Sequence, residues 1–222
     1  FLNPQGKSQN GYGANFSNMR SLLTITNTLN YIKTFGEKHH LNVLLGQEGQ
    51  QTSIRREDME NSNFPVQNLG QLSLASVPGS AKTYKFKLVQ NSFFSNLQYD
   101  YDNKYYVSAS FRTDGSSRFG KDHRWASFWS VGAKYRITEE KFMEAAKSWL
   151  TDLTIRGSYG TTGNQDVGDH TNADYLSWIV ARDVFGYGYN YNGKPGSGHE
   201  QFGNPDLKWE KTGKFNVGID AT

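Results

Sequence analysis

The sequence predicts an all-β fold: an antiparallel up-and-down transmembrane β-barrel segment, about seven strands of a larger barrel, with long extracellular loops and one short periplasmic helix. Three observations predict it. A two-residue alternation of apolar and polar side chains recurs along most of the chain, charged residues keep to one parity within it, and short connections alternate with long ones.

The alternation is clearest from Tyr105 to Phe142. Tyr105, Val107, Ala109 and Phe111 share the odd parity, which returns after a Gly/Ser-rich break as Trp125, Trp129, Val131, Ala133, Tyr135 and Ile137. The even positions hold Tyr106, Ser108, Ser110, Arg112, then Ala126, Phe128, Ser130, Gly132, Lys134 and Arg136. A period of two marks strands whose faces meet different surroundings.

The other elements follow in order. Residues 1 to about 20 are Gly/Asn/Ser-rich and read as loop. Leu23, Ile25, Leu29, Tyr31 and Phe35 form a first strand, and a break at Gly36-Glu37-Lys38 suits a hairpin turn. Leu41, Val43 and Leu45 form the second, and a polar stretch over 53–90 reads as a long loop. Phe93 to Tyr101 resumes the pattern, and Asp102-Asn103-Lys104 turns into the central hairpin. Thr138 followed by Glu139 and Glu140 looks like a helix start, with Phe142, Met143, Ala146 and Trp149 at helical spacing. Leu153, Ile155 and Tyr159 make the next strand. A loop over 162–206 leads to Leu207, Trp209, Phe215, Val217 and Ile219.

Composition agrees. The 222 residues are 14% aromatic, with 23 Gly and 5 Pro, which fits many strands better than a helical bundle. No stretch approaches the roughly 18 apolar residues of a membrane helix, and an alternating strand evades that test. Net charge of +3 with acids and bases interspersed argues no nucleic-acid footprint. The absence of cysteine excludes disulfide scaffolds and thiolate metal sites. The opening FLNPQGKSQNG has neither a basic region nor an apolar one, so the chain reads either as cytosolic or as a piece of something longer.

Within the strands, Glu48, Asp100, Arg112, Lys134, Arg136, Arg156, Lys208, Glu210 and Lys214 lie on the even face, against Lys33 and Lys211 near strand ends on the odd one. A charge facing hydrocarbon at mid-bilayer costs about 2–4 kcal/mol, which enforces such segregation. A soluble sandwich also alternates, but its dry face favours compact Val, Ile and Leu. Short connections on one side imply an inner girdle of Tyr31, Phe35, Tyr99, Tyr101, Tyr105 and Tyr135. The long loops (53–90, 113–124, 162–206) then lie outside, above Phe93, Phe111, Trp125, Trp129 and Trp209.

Three stretches go beyond pattern: Thr113–Gly120 (TDGSSRFG) with the following Arg124-Trp125 and Tyr135–Phe142, Leu153–Asp169 (LTIRGSYGTTGNQDVGD), and Asn204–Asp220 (NPDLKWEKTGKFNVGID). In this order they resemble the C-terminal barrel half of the SusC/RagA family of TonB-linked outer-membrane transporters of Bacteroidetes-type bacteria. The chain departs at Phe128-Trp129, where proline commonly follows the aromatic, at Tyr135, where tryptophan is common, and at Gly213-Lys214. The resemblance implies a barrel of roughly 22 strands in the outer membrane of a Gram-negative cell, closed by an N-terminal plug. It also implies a SusD-like surface lipoprotein as lid, the TonB complex acting through the plug, and import of glycans or peptides. On that reading residues 1–222 are a partial barrel domain without the plug.

Candidate residues have plainer alternatives. Tyr175, Trp178, Phe185, Tyr187, Tyr189 and Tyr191 in the 162–206 loop offer aromatic faces for sugar rings or peptide side chains; the alternating Phe185, Tyr187, Tyr189 and Tyr191 equally suit a strand extending above the membrane, or packing against the lid protein. Arg112, Lys134, Arg136, Arg156 and Glu210 are expected to face the lumen, and plug contact suits the basic row. Glu139-Glu140 and Asp166/Asp169 lack the setting of acid/base pairs, so no enzyme is expected. His39-His40 and Asp100 to Asn103 read as polar turns before metal sites, and no cofactor is expected. The rival from another class is a soluble or surface carbohydrate-binding β module.

Overall fold

A computed structural model describes residues 10–65, 71–166 and 179–222. It contains β1 (Tyr12–Phe35), β2 (His39–Ser62), β3 (Val77–Tyr101), β4 (Tyr105–Ser116), β5 (Trp125–Arg136), β6 (Leu153–Asn164), β7 (Val184–Tyr191), β8 (Lys194–Gln201) and β9 (Glu210–Ala221). Seven strands form one sheet in the order β1-β2-β3-β4-β5-β6-β9, and β7 pairs with β8 alone. The chain divides into two compact units, one of residues 1–23 and 51–88, the other of residues 24–50 and 89–222.

In the second unit the ladders that join β3, β4, β5, β6 and β9 pair odd with odd and even with even. Tyr99 lies opposite Val107, Val107 opposite Ala133, Tyr135 opposite Ile155, and Ile155 opposite Ile219. Directly opposed residues share a face, so the alternation within each strand adds up to two sheet faces. The odd face leaves Leu29, Tyr31, Leu45, Phe93, Val107, Phe111, Trp129, Val131, Ile155 and Val217 exposed. The one polar pair in that row near β1, Asn27 and Gln47, is self-satisfied by an amide hydrogen bond of 3.0 Å. Buried apolar side chains are few: Leu88, Phe119, Ala126 and Phe128 among the described residues. Such a sheet has its apolar surface outside, the arrangement hydrocarbon solvates.

The first unit differs from expectation. The 53–90 stretch, expected as loop, is mostly strand: β2 runs to Ser62 and β3 begins at Val77. Both faces there carry charge, with Arg55–Glu57 at 2.6 Å and Arg56–Asp58 at 2.7 Å, so no alternation betrays the strand. Likewise β4 reaches Ser116, which shortens the 113–124 loop, and the 162–206 loop contains the β7–β8 hairpin.

The connection after β5 is two 3-10 turns, Ile137–Glu139 and Lys141–Ala146, and no α-helix. Thr138 does not cap it. Its hydroxyl is fully buried, donates to Asp152 Oδ1 (3.3 Å) and accepts from the Leu153 N–H (3.3 Å), fastening the turn to the start of β6. Asp102 and Asn103 both adopt positive φ (53° and 54°), the two-residue hairpin turn their side chains favour.

Candidate functional site

The even face of the second unit is hollowed, with a cavity of about 790 Å³ lined by His40, Asn42, Asp100, Tyr106, Lys134 and Arg156 among others. Of the basic row expected to face the lumen, Lys134 and Arg156 line this hollow, and most of the row has acids of its own. Arg112 Nε donates to Asp114 Oδ1 (2.6 Å), its Nη2 donates to Ser92 Oγ (2.9 Å) and approaches Glu48 (3.7 Å), and its guanidinium lies 5.5 Å from the Phe94 ring centre. That ring sits against Gly46, where any β-carbon would collide with it.

Arg136 has Glu139 and Asp152 at 3.4 and 3.5 Å, and Arg156 has Asp220 at 3.2 Å. Lys134 lies directly opposite Arg156, a placement that would repel were Arg156 unpaired. Its ammonium rests 4.0 Å over the Tyr106 ring, with no carboxylate partner among the described residues. Two acceptors in the same hollow, Asn42 Oδ1 and Asp100 Oδ2, are buried without a donor. Among the described residues that line this hollow, there are thus one cation without a carboxylate and two unsatisfied acceptors. Glu210 lies opposite Asn164 and accepts its amide hydrogen at 3.2 Å.

At one end of the unit the rings of Phe35, His39, Tyr101, Tyr105 and Tyr135 form a continuous ladder, with successive centroids 5.2, 4.8, 6.3 and 5.0 Å apart. The hydroxyls of Tyr105 and Tyr135 both donate to Glu140 Oε1, at 2.6 and 3.3 Å. The Tyr105 hydrogen bond, the largest influence, together with Lys104 and Tyr135 holds the Glu140 carboxyl below its usual range against the opposing effects of burial and of Asp102. Glu139 is taken up by Arg136 and Lys147. These acids hold a turn together and leave none free for acid/base work. His39 joins the ladder and bonds the Tyr99 hydroxyl (2.7 Å), while His40 bonds Thr34 (2.9 Å). No cluster of three metal-ligating side chains occurs among the described residues.

At the other end Trp209 corrects the expected outer girdle. It packs against Phe119 (5.2 Å) and Phe128 (5.7 Å) and donates its indole N–H to the Arg124 carbonyl (2.8 Å). The β5–β6 ladder stops at Ser130 opposite Gly160, and the Trp129 N–H goes to the Thr161 hydroxyl instead. Beyond that break parity no longer carries across, and Lys211 lies 5.7 Å from the Phe128 ring centre on the inner side. Buried Arg118 donates to the Gln165 carbonyl (2.8 Å) and to Asp166 (3.2 Å), and Gly120 abuts Pro205. Residues from all three family-like stretches thus converge on one knot, which is structural in its contacts.

The aromatic loop residues divide. Tyr175 and Trp178 lie outside the described residues. Phe185 is opposite His199, whose ring stacks on Phe202 at 4.6 Å. A bulge at Gly188 (φ 108°) then breaks the expected one-sided stripe: Tyr189 packs over Gly198, on the face opposite Phe185. Tyr187 and Tyr191 are 89% and 85% exposed, so both rings are available to a ligand.

A sheet with an apolar outward face, a polar hollow behind it and rings at both ends is a segment of an outer-membrane β-barrel wall. The family described as TonB dependent receptor-like, beta-barrel matches residues 2–222, and the chain belongs to it. It is 30% identical over 225 residues to the TonB-dependent receptor SusC of Bacteroides thetaiotaomicron, covering 97% of this chain and 21% of that one. A TonB-dependent receptor of Formosa agariphila is 34% identical over 202 residues, covering 88% of this chain and 18% of the relative. Among solved structures, that of the RagAB peptide transporter superposes with a TM-score of 0.83 at 30% identity, covering 95% of this chain and 22% of that one. The chain therefore spans about a fifth of the length of these relatives. Its place is the outer membrane, in the manner of Bacteroidetes-type bacteria.

Proposed function

We propose that this chain is the wall of an energy-coupled importer that brings glycans or peptides through the outer membrane without altering them chemically. The observation that carries the reading is the division of the sheet into a lipid-suited odd face and a polar, hollowed even face. A similar protein is described as a peptide transporter, and another as a TonB-dependent receptor.

In this reading a plug domain fills the hollow, offering donors to Asn42 and Asp100 and an acceptor to Lys134. That revises the expected partnership, because Arg112, Arg136 and Arg156 already have acids of their own. A SusD-like lipoprotein covers the mouth, TonB acts through the plug, and Tyr187 and Tyr191 touch cargo on its way in. The test is uptake by cells carrying the complete protein. Uptake should require TonB, and Tyr187→Ala with Tyr191→Ala should lower it while barrel folding stays intact. Uptake that persists without TonB refutes the importer.

A further inference from the structure

We propose that the even face of the second unit carries a subsite for an uncharged sugar residue of the cargo, at the end away from the aromatic ladder. A cavity of about 350 Å³ there is lined by Glu48, Gln90, Arg112, Asp114, Gln165 and Trp209, with Gln50, Ser92 and Asn164 beside them. The side chains that β2, β3 and β4 contribute are all even-numbered, and Ser92 lies directly opposite Asp114 in the ladder. The volume is at the small end of the roughly 300–1,000 Å³ of ligand sites, which suits a short stretch of chain.

The lining favours hydroxyl groups over charged or apolar ones. Arg112 stands between two carboxylates, bonding Asp114 at 2.6 Å and approaching Glu48 at 3.7 Å. A cationic cargo group meets that guanidinium, and an anionic one meets the two acids. The other polar groups are amides and a hydroxyl, which offer donors and acceptors together. Gln165 Oε1 is buried without a donor, and a ligand O–H would satisfy it. Ser92 Oγ accepts from Arg112 (2.9 Å) and keeps its own proton to give. An ammonium group can answer the amide carbonyls but not the amide N–H groups, whereas each sugar hydroxyl both donates and accepts. None of the described residues on this lining has an aliphatic side chain, so an apolar peptide side chain finds no seat. Trp209 is the one ring there, held by Phe119, Phe128 and the Arg124 carbonyl, and a flat ring suits the C–H face of a sugar.

The inference rests on the importer reading, and the experiment separates the two. The complete transporter, purified in neutral detergent, is titrated with uncharged hexasaccharides (α- and β-linked glucans, a mannan and a galactan) and with an uncharged serine–glycine hexapeptide. At least one hexasaccharide should bind the wild type, and more tightly than the peptide. Gln165→Leu and Gln90→Leu should each weaken that saccharide, by about fivefold per lost hydrogen bond. The Gln165 acceptor is buried and unpartnered, so an apolar group of similar size should leave the midpoint of heat-modified migration unchanged or raised. A lowered midpoint makes that amide structural and overturns its role as a contact. Failure of every hexasaccharide to bind, or equal affinity of wild type and both variants, overturns the site. Peptide binding that these variants weaken while saccharide binding stays unmoved overturns the sugar as occupant. Failure of the importer reading looks different, since uptake that persists without TonB leaves saccharide binding, and its loss in the variants, as they were.

Discussion

Val131→Arg should destabilise the folded barrel by about 2–4 kcal/mol, whereas Ser108→Arg should cost less than about 1 kcal/mol. Val131 is on β5, opposite Ala109 of β4 and Tyr159 of β6, and is 49% exposed on the odd face. It lies four residues from Tyr135, the ring that ends the aromatic ladder. Four residues at about 3.4 Å each, on a strand tilted about 40°, reach roughly 10 Å into an apolar band about 25 Å tall. That is near the middle, beyond easy snorkelling. No carboxylate stands at the neighbouring odd positions of β4, β5 or β6. Ser108 sits opposite Gly132 on the even face and opens into the 790 Å³ hollow, where an added guanidinium stays hydrated. The Val131→Arg cost corresponds to roughly 30- to 700-fold in the folded-to-unfolded ratio, against less than about fivefold for Ser108→Arg. Reversible urea unfolding of the complete protein in lipid vesicles measures it. Equal midpoints for the two variants would refute the assignment of faces.

Glu140→Gln should lower the heat-modification midpoint at neutral pH. A carboxyl whose folded pKa is depressed lends its stability above the unfolded value and loses it as pH falls through the folded one, so the gap between wild type and variant should shrink as the pH is taken below the ordinary glutamate range. Gly46→Val should displace the Phe94 ring from its seat and uncouple Arg112 from it, for about 1–3 kcal/mol in urea unfolding, while Gly36→Asn, at φ 58°, should cost little. Trp209→Ala should cost about 3 kcal/mol by removing the ring between Phe119 and Phe128, and limited proteolysis should then cut first near 117–124.

Faces were readable in residues 24–50 and 89–160 because lipid on one side and water on the other sort side chains strictly. Val107 against Ser108 carries that information with no help from partners. Where both sides meet water the sorting vanishes, and the strands around Arg55, Arg56, Glu57 and Asp58 look like loop although they pair. Parity also fails across a ladder break. Trp209 and Lys211 come inward because the β5–β6 pairing ends at Ser130, and the Gly188 bulge sends Tyr189 away from Phe185. Gly188 was a visible cue, since glycine inside an aromatic alternation often marks an irregular strand. Thr138 misled through its spacing to Glu139 and Glu140. Only the ladder shows that its hydroxyl answers to Asp152 and Leu153. His39 reads as a turn residue and gives no sign that it bridges Phe35 and Tyr101.

Among the described residues, the first and last strands of the sheet each have a neighbour on one side only. A row of main-chain donors and acceptors along both margins, beside a greasy flank, is a template for unwanted self-association. Recombinant production of this stretch by itself should therefore give insoluble, cross-β-rich deposits, and detergent-dispersed material should come only from preparations in which further strands close the circle.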